Sequence, residues 1–335
     1  MRTLAVMRTL LSVQYLRAIA AIAVVVSHCW PSAVVAQAGV DLFFVISGFI
    51  MWTLTTKPMG ALGYWWHRLA RVAPLYWIAT VLMALHQRAT LLPVVKSALF
   101  WPYFGDDGHI WPVMVPGWTI NYEIAFYALI GVVLLLPRRP RLLTIAATLC
   151  LLSLLHPMVS ANNAPLLTYT NPIMLEFLAG IGLAELRLRD RLPSPGVAIL
   201  LLGLALLGYW WPTVTSLPEG WHRLLVWGLP SLMVATGALA CEAGGPAIRV
   251  PGLKVLGDAS YSIYLSHPFI IESVIRTLNH YPMPVRVITP TLVATAFGVC
   301  IHFIVERPMT RKLHQIASIV QRIFARRASL QPDPT

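Results

Sequence analysis

Residues 11–30, LSVQYLRAIAAIAVVVSHCW, and residues 38–56, AGVDLFFVISGFIMWTLTT, decide the fold class. Each run is about 20 residues long and mostly apolar, the length at which an α-helix crosses the hydrocarbon core of a bilayer. Comparable runs recur at roughly 72–88, 116–137, 142–158, 171–186, 195–212, 221–241, 258–277 and 285–305. The whole chain of 335 residues is 57% hydrophobic and 11% charged, against about 25% charged in a soluble domain. That balance excludes a water-soluble globule, and it excludes a disordered chain, which needs low hydrophobicity and high charge. Four scattered cysteines, Cys29, Cys150, Cys241 and Cys300, do not make a disulfide framework. The expected fold is all-α: a polytopic transmembrane helical bundle of about ten spans.

Charge placement orients the bundle. With both termini cytoplasmic, all but five of the 25 basic residues fall on the inner side, the exceptions being Arg88, Lys96, Arg223, Arg276 and Arg286. The apolar stretch 91–104 carries Pro93, Lys96 and Pro102 and reads as a surface or re-entrant segment. Counting it as a span would put Arg138–Arg141 and Arg187–Arg191 outside. The net charge of +12 is then topology plus attraction to anionic inner-leaflet lipid, and it requires no nucleic acid. Residues 1–9 read as a cytoplasmic N-terminus, 10–310 as one transmembrane unit, and 311–335 as a basic cytoplasmic tail. In that tail region Leu313, Ile316, Val320 and Phe324 recur at the spacing of an interfacial helix. The doublet MRTL at 1–4 and 7–10 leaves Met1 and Met7 as alternative starts, and 17–36 also reads as a signal peptide whose cleavage would remove His28. Ten spans leave no room for a soluble catalytic domain, so chemistry falls to residues in or at the membrane. No internal repeat of the kind found in many transporters is present.

Ionisable residues inside spans are costly and therefore informative. Arg17 and His28 lie eleven residues apart in the first span, about 16 Å along a helix and on one face, with Arg17 near the inner surface and His28 in the outer third. Their bland alternatives are a snorkelling arginine and an interfacial histidine. Asp41 opens the second span at the depth of His28, where a carboxylate would orient the imidazole, or simply cap the helix dipole. Ser47 and Gly48 allow close helix contact. Arg68 and Arg71 share a face at the inner mouth of span three; they suit phosphate binding or a stop-transfer pair. Glu123 falls two turns into a span entering from outside, again at the expected depth of His28. Ser260, Tyr264 and His267 make a polar stripe before Pro268, and Glu306 and Arg307 read as a helix-end pair. Glu176, Glu272 and His302 show no informative partner. No phosphate loop, dinucleotide fingerprint or metal-ligand spacing is present.

In order, these blocks resemble the acyltransferase 3 family of integral-membrane acyltransferases over about residues 10–310. Arg17 and His28 reproduce its arginine–ten residues–histidine pattern. GVDLFFVISGF at 39–49 is similar to its second-span block, and Arg68 and Arg71 to its Arg-x-x-Arg element. GWTINYEIAFY at 117–127, SYSIYLSH at 260–267 and Glu306–Arg307–Pro308 complete the series. Ile120, Asn121 and Ser266 depart from the usual residues without removing a proposed catalytic group. The resemblance implies acyl transfer, usually acetyl, from cytoplasmic acetyl-CoA or another acyl-CoA to a hydroxyl of an extracytoplasmic or lipid-linked glycan. Exopolysaccharide is the first expectation, in a cell inner membrane and with no metal. On this reading His28 is the general base, Asp41 fixes its tautomer, and Glu123 positions the acceptor or shares proton transfer. Arg68 and Arg71, with Arg17, hold the CoA phosphates, while Ser262, Tyr264 or His267 line the channel or supply oxyanion donors. A proton-coupled transporter of a sugar or lipid-linked glycan is the rival from another class, and a structural subunit of an export assembly is a third.

Overall fold

The first two apolar runs fold as α1 (Leu11–Cys29) and α2 (Gly39–Leu54), packed side by side. The computed structural model describes residues 10–56, 60–210, 218–245 and 248–316, and among them every regular element is helical. After α2 come α3 (Ala61–Gln87), α4 (Leu91–Ala98), α5 (Gly117–Val133), α6 (Arg138–Leu155), α7 (Ala164–Tyr169), α8 (Leu175–Leu188) and α9 (Pro195–Tyr209). α10 (Gly220–Gly244) contains a π-helical turn at Leu224–Gly228. α11 (Pro251–Asp258), α12 (Ser260–Ser266) and α13 (Pro268–Thr277) form one interrupted rod, and α14 (Met283–Ile301) continues through a second π turn at His302–Glu306 to Ile316.

Among the described residues seven helical stretches are long and apolar enough to cross a membrane: 11–29, 34–54, 61–87, 138–158, 164–188, 220–244 and 283–316. The other three expected spans are helical but shorter or broken. α5 has 17 residues, α9 has 15, and the rod from 251 to 277 is interrupted at Ala259 and His267. Pro268 accounts for the second break, because it lacks an N–H and crowds the preceding turn. α4 has eight residues and rises about 12 Å, too little to cross. α3 begins eleven residues before the expected span and carries Arg68 and Arg71 on a regular helix. Of the expected tail helix, residues 317–335 lie outside the described residues, as do residues 1–9.

The bundle presents large apolar side chains outward and holds several ionisable groups within. Leu85, Leu143, Leu154, Leu206, Leu225 and Ile304 face outward, whereas Arg17, Asp41, Glu176, His267 and Glu306 are buried. Such a distribution suits a lipid solvent, in which an inward-facing ionisable group must find partners. α1 runs through the centre, and its first backbone donors are satisfied from another helix. Glu242 of α10 accepts from the N–H groups of Leu11 (3.0 Å) and Ser12 (2.9 Å), which the start of a helix leaves unpaired.

α2 and α8 approach so closely that glycine is required on both. A Cβ on Gly48 would lie 2.1 Å from the carbonyl oxygen of Phe177, and one on Gly180 would lie 2.0 Å from that of Val45. Gly180→Leu is expected to force these helices apart and to destabilise the fold by about 1–3 kcal/mol or more. Loss of monodisperse protein and a lower melting temperature in detergent would register it; an unchanged melting temperature would mean the two helices are not in contact.

Candidate active site

A cavity of about 1060 Å³ opens between α1, α2, α3, α5 and α12, just above the about 300–1,000 Å³ usual for small-molecule sites. It follows α2 from Leu54 to Val40, about 21 Å at 1.5 Å per residue. Arg138, Arg139 and Arg189 line it beside the C-terminal end of α2. Arg17, Arg68, Arg71 and Glu123 line its body, and Thr119, Tyr264 and Phe43 line its far end. Of the residues singled out in the sequence, Arg17, Arg68, Arg71, Glu123 and Tyr264 thus share one space.

Glu123 sits deeper than its distance from the helix start suggested. Its carboxylate accepts a hydrogen bond from Ser47 Oγ (3.1 Å) and another from the Tyr127 hydroxyl. Ser47 is six residues along α2 from Asp41, so Glu123 lies about 9 Å inward of the level expected for it. There it faces the arginines: Arg17 lies within electrostatic reach of both Glu123 and Arg71. Among the described residues, Arg17 has only Gln14 Oε1 at 3.4 Å as a hydrogen-bond partner, and the Arg68 guanidinium meets only Met51 Sδ at 3.5 Å. Both therefore keep donors free for a ligand.

His28 and His267 lie beyond the far end. Their rings are 4.6 Å apart, and the His267 ring is 6.0 Å from that of Tyr264. Neither histidine lines the cavity; Tyr264 and Phe43, whose rings meet edge to face at 6.0 Å, stand between. His28 Nδ1 is 2.8 Å from the carbonyl oxygen of Val24. A carbonyl can only accept, so Nδ1 carries the proton and Nε2 keeps its lone pair. His28 is exposed at the end of α1, and its Nε2 is the basic atom offered there. His267 repeats the arrangement, with Nδ1 2.6 Å from the carbonyl of Tyr264 and a buried Nε2 that meets no partner. In this tautomer His267 has no free N–H, which removes it as an oxyanion donor.

Asp41 does not orient His28. Both its oxygens are taken by Arg223, from Nε at 3.0 Å and Nη2 at 2.8 Å, and the pair is buried. The Val24 carbonyl performs the task that the sequence assigned to Asp41. Arg223 also lies over the rings of Trp227 (4.9 Å) and Trp118 (5.7 Å). Glu176, fully buried beside Asp41, meets no donor on either oxygen among the described residues. Sequence reasoning missed Arg223 and Glu176 as a unit. The available signal was Arg223 itself, an arginine inside the expected span 221–241, where an unpaired cation is expensive.

Ser262 does not line the cavity either. Its hydroxyl donates to Glu306 Oε2 (2.6 Å), which His302 Nδ1 also approaches (2.8 Å). Glu306 is thus turned inward at the π turn rather than paired with Arg307, which lies over Phe303. Tyr264 remains at the site, its hydroxyl 2.9 Å from that of Thr119 and 3.0 Å from the carbonyl of Pro116. Among the described residues no group of three or more His, Cys, Asp or Glu side chains is placed to hold a metal ion.

Residues 10–307 match the sequence profile of a family described as an acyltransferase domain. The chain is also 36% identical, over 292 residues, to the exopolysaccharide production protein ExoZ of Rhizobium meliloti (strain 1021), an alignment covering 83% of this chain and 90% of that protein. No solved structure matches it. A membrane-type helical bundle with a cationic cavity leading toward a tautomer-fixed histidine agrees with that match along nearly its whole length, and the chain belongs to the acyltransferase 3 family.

Proposed function

We propose that this chain is an O-acyltransferase of the cell inner membrane, with ten spans and both termini cytoplasmic. It moves an acyl group, acetyl first, from cytoplasmic acyl-CoA to a hydroxyl of an extracytoplasmic or lipid-linked glycan. The kinship with ExoZ points to exopolysaccharide as the acceptor. The observation that carries the reading is the ordering along one cavity: arginines at one end, Glu123 midway, Tyr264 and Thr119 at the other, and His28 one aromatic layer beyond.

Each group has a part. Arg17, Arg68 and Arg71 take the donor phosphates through charge-assisted bonds. Glu123, held by Ser47 and Tyr127, accepts from the amide N–H groups of the pantetheine arm. The thioester carbon then lies near Thr119 and Tyr264; both hydroxyls rest on the Pro116 carbonyl, and one of them turns from it to donate to the developing oxyanion. Rotation of the Tyr264 and Phe43 rings joins the cavity to the His28 compartment. There His28 Nε2 takes the proton of the acceptor hydroxyl as its oxygen attacks the thioester carbon. Collapse of the tetrahedral intermediate breaks the C–S bond, and the departing thiolate takes the proton from the imidazolium.

Inverted membrane vesicles incubated with acetyl-CoA labelled in the acetyl group test this directly. Covalent label is expected in lipid-linked or polymeric glycan, and mass analysis of exopolysaccharide is expected to show one acyl unit per modified residue, lost when the protein is absent. Protein-dependent sugar movement across the vesicle membrane with no covalent label would overturn the reading in favour of a proton-coupled transporter.

A further inference from the structure

Three arginines at the cavity mouth play no part in the scheme above. Arg138, Arg139 and Arg189 all line the cavity. Positive-inside topology would scatter them over the inner surface, yet two of them are held in fixed positions by one carboxylate. Glu185 is only 13% exposed and accepts from Arg138 Nε (2.9 Å) and Nη2 (2.8 Å), Arg189 Nε (2.9 Å) and Trp52 Nε1 (2.7 Å). The Arg138 guanidinium also lies 5.2 Å over the Trp52 ring. An arginine has five N–H donors in a rigid fork. Glu185 uses two from Arg138 and one from Arg189, so both keep donors for a ligand. Arg139 has no partner among the described residues, and it too faces the cavity.

The cluster lies beside the inner group without merging with it. Arg68 meets Met51, and Glu185 and Arg138 meet the next residue, Trp52. Adjacent Cα atoms are about 3.8 Å apart, and successive helical side chains diverge. The last turn of α2 therefore contacts two cationic groups on neighbouring residues, each group set against its own carboxylate along one path. The inner locus sets three arginines against Glu123; the mouth sets three against Glu185.

We propose that the mouth cluster is a second phosphate site, which takes the ribose 3′-phosphate of the CoA donor, with Arg138, Arg139 and Arg189 as ligands and Glu185 as the residue that positions two of them. The proposal rests on the reading of the donor as acyl-CoA. The order follows from covalent connectivity. A CoA thioester placed with its acyl end at Tyr264 presents its diphosphate next and its ribose phosphate last. The inner arginines therefore meet the diphosphate, and the mouth arginines meet the monoester. A phosphate monoester carries about −1.5 to −2 charge at neutral pH, matching the net excess of arginine over glutamate at the mouth. The site selects intact CoA thioesters over those lacking the 3′-phosphate.

The test compares CoA with 3′-dephospho-CoA as ligands of the full chain in nanodiscs of neutral phosphatidylcholine. Wild-type protein is expected to bind CoA about tenfold or more tightly than 3′-dephospho-CoA, the size of effect expected from losing charge-assisted bonds. Arg139→Gln/Arg189→Gln is expected to erase that preference by weakening CoA alone. Arg139→Gln by itself, which disturbs no protein contact, is expected to reduce the preference severalfold and serves if the double variant fails to fold. Equal loss for both ligands, no loss for either, or a wild type indifferent to the 3′-phosphate would overturn the proposal and leave the donor reading standing. A preference that appears only when anionic lipid is added would assign these arginines to lipid headgroups instead. Absence of binding to either ligand by wild-type protein would overturn the donor reading and this site with it.

Discussion

Alanine at position 28 is expected to lower acyl transfer by about 10²–10⁴-fold, the range supplied by a positioned general base. The loss should fall on kcat, because the His28 side chain lies outside the donor cavity and the arginines that line it are untouched. The KM for acetyl-CoA is therefore expected to stay within about threefold, since the mutation removes an interaction made in the transition state. Folded yield should also hold. His28 is exposed at the last turn of α1, and its bond to the Val24 carbonyl is a local one. Initial rates in vesicles at several acetyl-CoA concentrations separate the two constants. A variant that retains transfer to within tenfold of wild type would remove His28 as the base. A variant that loses donor affinity instead would mean the imidazole belongs to the donor compartment.

How much of this was legible before the fold was known depends on the range of each signal. The separation of Arg17 and His28 is set within one helix by a fixed rise, so their common helix and opposite ends followed from counting. The close approach at Gly48 followed from residue size, and α8 proved to be the helix that fills it. The inner arginine pair followed from charge at a span's end, although α3 begins earlier than hydropathy suggested, because Trp65, Trp66 and His67 propagate a helix without being strongly apolar. Partners far apart in sequence were not legible. Asp41 meets a residue 182 positions away, and Glu185 joins Trp52, 133 positions before it. Hydrophobic periodicity carries no information about which polar side chains meet across a bundle. Depth counted from helix ends also misled: α5 begins within one residue of the expected start, yet its Glu123 meets Ser47 of α2 rather than the level of Asp41, because the relative height of two helices is set by their packing and not by their own lengths.

The buried pair of Asp41 and Arg223 gives the second large effect, and it separates architecture from chemistry. Asp41→Ala takes from the Arg223 guanidinium its forked carboxylate partner, leaving it beside Glu176 and the Trp118 and Trp227 rings, and breaking a buried pair this way costs about 3–5 kcal/mol. That is a large share of the about 5–15 kcal/mol by which a fold is stable, so the variant is expected to accumulate poorly and to melt far below wild type. Low activity in it would therefore say nothing about catalysis. Removing all three ionisable groups at once avoids the stranded ion. Asp41→Leu with Arg223→Met and Glu176→Met replaces the cluster by apolar groups of similar volume, an exchange that is often neutral or stabilising. This triple variant is expected to recover most of the melting temperature and to transfer acetyl groups within about tenfold of wild type, because the Val24 carbonyl still fixes the His28 tautomer. If Asp41 instead oriented the imidazole, the triple variant would fold normally and yet be as inactive as His28→Ala. Melting temperature and transfer rate measured on the same preparation therefore distinguish an ion pair that holds α2 against α10 from one that serves the base.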